Sequence, residues 1–187
     1  MKKHKPFSPK DFKVSYKKIC QDDNSVEDVV LYTGGNKTKI NFLGSETLGS
    51  IILACGCSQN VCGEHWLKRY VASLSEEDKR KVKEITDKKK TKFWFGGGEI
   101  LSSIKKIKIP AEIADRKVSL FTHVVSSGII LLGSRSSMTK AGVVLDLPSD
   151  RAQILGKWVD LNVTSVGHYY INILPQEKLL IQDCYRC

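Results

Sequence analysis

Apolar residues in this chain arrive in short bursts, and the bursts limit what it can fold into. Val29-Val30-Leu31-Tyr32, Ile51-Ile52-Leu53-Ala54-Cys55, Phe93-Trp94-Phe95 and Ile129-Ile130-Leu131-Leu132 are each about a strand long. Each meets a glycine within two residues of its end. Runs of that length bounded by turn residues read as strands, and none approaches the ~20 apolar residues a membrane-crossing helix needs. Lys39-Ile40-Asn41-Phe42 is a further β-like run, and Ile100, Ser102, Ile104 and Lys106 form an alternating one. Strands are also expected over 107–113, 118–125, 128–132, 143–147, 153–155, 158–161 and 168–174.

The pattern is interrupted once. Trp66, Leu67, Tyr70, Val71 and Leu74 recur at helical spacing. Ser75-Glu76-Glu77-Asp78 resembles a capping box and opens a second helical turn toward Val82 and Ile85. The spacing therefore predicts a helical insertion over about 64–87. A β-hairpin is expected over about 92–107 with Gly96-Gly97-Gly98 at its tip. A short helix from Ser134 to Ala141 is closed by Gly142. The expectation is a mostly β single domain over 26–174, with a basic disordered leader at 1–25 and a tail at 175–187.

The 187 residues carry 30 Lys+Arg against 20 Asp+Glu, a net charge of +10. Residues 1–20 hold a net +6 and residues 80–92 a net +5, leaving the remaining body at −1. Two basic segments on a near-neutral body could touch phosphate backbones weakly and nonspecifically, in a salt-dependent way. Neither interleaves its lysines with the aromatics that single-strand binders stack on. The Lys-rich start is followed by no apolar segment of the signal-peptide kind, so a cytoplasmic protein with no membrane contact is expected.

The chemistry should sit where Ile51-Ile52-Leu53-Ala54 runs into Cys55-Gly56, because an apolar strand entering a tight glycine turn presents one residue at its tip. Cys55, Cys57, Cys62 and His65 have the spacing C-x-C-x4-C-x2-H, which matches no zinc finger, and Cys184 and Cys187 form a lone C-x2-C. No metal or cofactor is expected, and in a reducing compartment the six cysteines are free thiols. A cysteine nucleophile at Cys55 or Cys57, beside His65, His123 or His168, is the remote alternative.

A longer pattern surrounds the turn. Cys57 to Gly63 leads into Glu64-His65-Trp66-Leu67; there follow Lys92 to Gly98, Lys106 to Ala111, Ile129 to Gly142, and Thr164-Ser165-Val166-Gly167-His168-Tyr169. In that order the chain resembles the retropepsin-like aspartic protease domain of retrotransposon gag-pol polyproteins. The resemblance implies a retropepsin-like closed β-barrel (the acid protease fold) with a helical insertion and one short C-terminal helix. It implies a homodimer acting on peptide or polyprotein substrate. It also implies roles: Ala54 stands at the catalytic Asp, Cys55 at the Ser or Thr beside it, and Gly56 at the glycine. Gly96, Gly97 and Gly98 stand at the substrate-binding flap, and Leu131, Leu132 and Gly133 behind the active-site turn.

The family's reaction needs two close carboxylates sharing one proton. Ala54 has no ionisable group, and Asp146 and Asp160 are each followed by Leu rather than by Ser/Thr-Gly. The expected function is an endopeptidase domain that is catalytically inactive. The alternative is a nucleic-acid-binding module using residues 1–20 and 80–92.

Overall fold

The computed structural model describes residues 27–30, 48–86, 91–95, 98–165 and 167–175. The leader at 1–25, the expected strand at 39–42, Gly96, Gly97, Cys184 and Cys187 lie outside the described residues.

Strand β1 (Glu27–Val30) precedes β2 (Ser50–Ala54) and β3 (Val61–Gly63), which feeds directly into helix α1 (Glu64–Ala72). A single turn, α2 (Glu76–Lys79), leads to β4 (Lys83–Ile85), β5 (Lys92–Phe95), β6 (Ile100–Ile113) and β7 (Arg116–Val125). Then come β8 (Leu131–Ser134), α3 (Arg135–Lys140), β9 (Val144–Asp146), β10 (Arg151–Ile154), β11 (Lys157–Asp160), β12 (Asn162–Val163) and β13 (Tyr169–Asn172). The protein is mostly β, as the bursts predict.

The main sheet runs β1-β5-β6-β7-β3-β8-β2-β13-β12, with β4 on the side of β6; β9, β10 and β11 form a second sheet. Among the described residues this path is open, from β1 to β12. The closed barrel implied by the resemblance is therefore not what the described pairings form. Its longest piece is the β6–β7 hairpin, joined by Ala114 and Asp115 with φ of +53° and +60°. Two left-handed residues make the type I′ geometry whose twist suits a two-residue hairpin.

Alternation along β6 sorts its faces. Ile107, Ile109, Ala111 and Ile113 are buried, whereas Lys106 and Lys108 are half-buried on the opposite face. The buried residues meet Val61, Val124, Leu131 and Ile173, with Trp66 and Tyr70 of α1 stacked at 4.8 Å. Tyr70 is fully enclosed, and its hydroxyl lies 2.7 Å from the Pro110 carbonyl and 3.2 Å from that of Ile173. It pins the helix to two distant strands.

The helical insertion is shorter than its spacing predicts. Ser75 caps α2 by accepting from the Asp78 N–H at 3.2 Å, but the turn ends at Lys79, and residues 83–85 are a strand on β6. Val82 and Ile85 stand three apart, a spacing too short to distinguish helix from strand. An available edge on β6 satisfies the backbone of β4 better than a marginal second turn of α2 would.

Candidate functional site

Strand β2 is flanked on both sides, by β8 in parallel and β13 antiparallel, which is why its sequence is a continuous apolar run. Ile51 pairs with Leu131, Ile52 with Leu132, Leu53 with Gly133 and Ala54 with Ser134. A Cβ on Gly133 would sit 2.9 Å from Ile51 Cδ1 and 3.2 Å from the Ile52 carbonyl oxygen, so a larger residue would have to displace the Ile51 side chain and crowd the neighbouring strand.

Beyond Ala54 the chain turns at once. The Cys57 N–H donates to the Ala54 carbonyl at 2.9 Å, leaving Cys55 and Gly56 exposed at the bend. The Arg135 N–H donates to the Cys57 carbonyl at 2.9 Å, tying the turn to the start of α3. Ser134 caps α3 by accepting from the Ser137 N–H at 3.2 Å. Ala54 therefore stands where a strand enters a turn, beside Ser134 at the end of β8.

Asn60 organises the surroundings, and sequence reasoning did not single it out. Its Oδ1 accepts from the Ser134 N–H at 2.7 Å, its Nδ2 donates to the Phe121 carbonyl at 2.9 Å, and its own carbonyl accepts from the His123 N–H at 2.9 Å. The only sequence signal was a polar residue directly before an apolar strand.

At the hairpin, Trp94 pairs with Ile100 and Phe93 with Leu101. The Phe95 N–H donates to the Glu99 carbonyl at 2.9 Å and the Gly98 N–H to the Phe95 carbonyl at 2.8 Å. Gly98 has φ +84°, with open space where a Cβ would lie. This glycine takes the left-handed conformation that other residues resist.

The remaining chemistry is structural. His123 is buried, with Nδ1 3.1 Å from Ser103 Oγ, Nε2 3.1 Å from Gln59 Oε1, and the Phe93 ring 5.4 Å away. A Ser–His pair can be nucleophilic, but the enclosed ring offers a substrate no approach. The row braces β6 and β7 against the turn.

The described cysteines differ in exposure. Cys55 is exposed, Cys57 is buried with its Sγ donating to the Gln59 carbonyl at 2.7 Å, and Cys62 is buried. Burial pushes the Cys62 thiol up to about 12, and a hydrogen bond with Thr122 lowers it only in part. A thiol held protonated is no nucleophile at neutral pH. His65 is exposed on α1. Among the described residues, no three His, Cys, Asp or Glu side chains come together as metal ligands.

No family model matches the sequence, and comparison with curated proteins likewise found no match. Among solved structures, the chain is similar to the retroviral protease-like domain of Ddi1 from Leishmania major. The likeness has 9% identity and a TM-score of 0.37, and covers 67% of this chain and 79% of that one. At that identity and score the likeness decides neither fold nor activity, so the chain's own residues have to carry both. No helix among the described residues is long and apolar enough to cross a membrane.

Proposed function

We propose that this chain is a retropepsin-like aspartic endopeptidase domain of a retroelement polyprotein, and that it is catalytically inactive. The observation that carries the reading is Ala54, which closes a buried strand at a tight turn with Cys55 and Gly56 at the bend. That is where such a protease presents its carboxylate. Leu131-Leu132-Gly133 beside the turn, the capped α3 after it and the glycine-tipped hairpin support the same assignment.

A methyl group cannot take a proton from water, and a symmetric dimer would bring two methyl groups together instead of two carboxylates. The test restores the missing pair. The double variant Ala54→Asp/Cys55→Ser should cleave a peptide library at mildly acid pH in a pepstatin-sensitive way, whereas the parent chain should not. Pepstatin-sensitive cleavage by the parent would overturn the inactivity. A folded double variant that sediments as a dimer yet cleaves nothing would overturn the protease-like site.

Nucleic-acid binding through residues 1–20 and 80–92 receives less support as a primary reading. Lys81, the second basic residue of the 80–92 segment, is already engaged by Glu77 at 2.6 Å and Asp78 at 2.8 Å.

A further inference from the structure

Strands β4, β6 and β7 place Lys83 directly opposite Lys108, and Lys108 directly opposite Phe121. Residues in register across adjacent strands share a face. The strands lie about 4.8 Å apart, so two lysine side chains and an aromatic one leave the sheet within a strip roughly 10 Å across. The next rung along the same face is Ile85, Lys106 and His123; further along, Lys117 stands opposite Glu112, so the unbalanced positive charge is confined to the Lys83–Lys108 end.

Two features of the strip call for explanation. Phe121 is 49% exposed although it lies within the long β6–β7 hairpin, and its carbonyl is held by Asn60, so the ring is presented from a rigid strand. Lys83 opposite Lys108 is a like-charge pair, an arrangement that destabilises a sheet. Glu84, the acid within β4, pairs with Ile107 on the other face and approaches Lys105 at 3.8 Å instead. A rigid exposed ring at the end of a row of two facing lysines fits a ligand that carries a flat group next to anionic ones.

We propose that this face binds single-stranded nucleic acid, with a base stacked on Phe121 and phosphates on Lys83 and Lys108. An acidic peptide would satisfy the lysines but would leave the ring without a stacking partner. The site differs from the basic segments visible in sequence: only Lys83 belongs to them, and Lys108 and Phe121 reach it through pairing alone. The proposal does not depend on the protease-like reading.

The test uses the full chain and a fluorescein-labelled oligouridylate, with anisotropy read across a salt series. Phe121→Ala should weaken binding roughly 5- to 150-fold, the worth of about one base–aromatic stack, while leaving the salt slope unchanged. Phe121→Trp should retain binding. The double variant Lys83→Ser/Lys108→Ser should lower the slope of log affinity against log salt by about 1.4, for two single-strand phosphates. Lys83→Glu should bind less tightly yet melt at a higher temperature, because it replaces a repulsive pair with an attractive one. Unchanged affinity in Phe121→Ala would assign all binding to the basic leader and overturn the proposal. Equal displacement of the oligonucleotide by polyglutamate would overturn it in favour of an acidic peptide.

Discussion

The Asn60 side chain uses its acceptor on the strand that ends in Ser134 and its donor on the strand that carries Phe121. Both partners are main-chain groups, and Asn60 and Ser134 are buried, so water cannot simply replace the amide. Asn60→Ala should lower unfolding free energy by about 2–6 kcal/mol, because two polar groups are stranded and each costs about 1–3 kcal/mol. Asn60→Asp should do no better, since a carboxylate would face the Phe121 carbonyl with no proton to offer. Urea denaturation of the three proteins checks this, and equal midpoints would show the bridge to be dispensable. The turn after Ala54 was legible in the sequence because an apolar run ending at Gly56 reports its own turn. Asn60 was not, because its partners lie 61 and 74 residues away and nothing near it names them.

Helix α1 begins at Gly63, which offers no side-chain cap. Serine or aspartate there would ordinarily strengthen a helix by about 1 kcal/mol. Here a Cβ would lie 2.2 Å from the Ser127 carbonyl oxygen and 2.8 Å from the Ile129 nitrogen, both main-chain atoms that cannot swing aside. Gly63→Ser should therefore destabilise the protein by about 3 kcal/mol, contrary to its helix preference. A thermal melt that rose on this substitution would refute the packing argument. The insertion shows the same limit from the other side. Its helical period was legible over Trp66 to Leu74, where the apolar residues bury themselves. It failed at Val82 to Ile85, where pairing with β6 decides the conformation.

At the scale of the whole molecule, two buried protons among the described residues are tied to the folded state. Burial raises the Cys62 thiol to about 12, and burial with the negative charge of Asp78 raises the Tyr70 hydroxyl well above the ordinary phenol range. In the unfolded chain both groups ionise earlier, so above about pH 9 the unfolded state binds fewer protons and stability falls as pH rises. The stabilising difference is complete below the usual thiol range and is lost progressively from about pH 9 toward 12. Urea midpoints at pH 7, 9 and 10.5 should decline in that order. Cys62→Val should flatten the first part of the decline while leaving the later, tyrosine-dependent part. A profile unchanged by Cys62→Val would mean that the thiol is not held neutral by the fold.

By itself the sequence determined the strand-rich character, the turn after Ala54, the pairing of β5 with β6, the short helix before Gly142 and the lack of a carboxylate at the turn. These are local facts, set by the identity and spacing of neighbouring residues. The tertiary structure alone decided that β2 lies parallel to β8, that the described sheet stays open, that Asn60 joins the turn to β7, and that Lys83, Lys108 and Phe121 share one strip. The physical reason is register. Alternation along a strand says which of its own residues share a face, but not which strand lies beside it or at what offset. Those are set only when distant segments exchange main-chain hydrogen bonds and bury their apolar faces together.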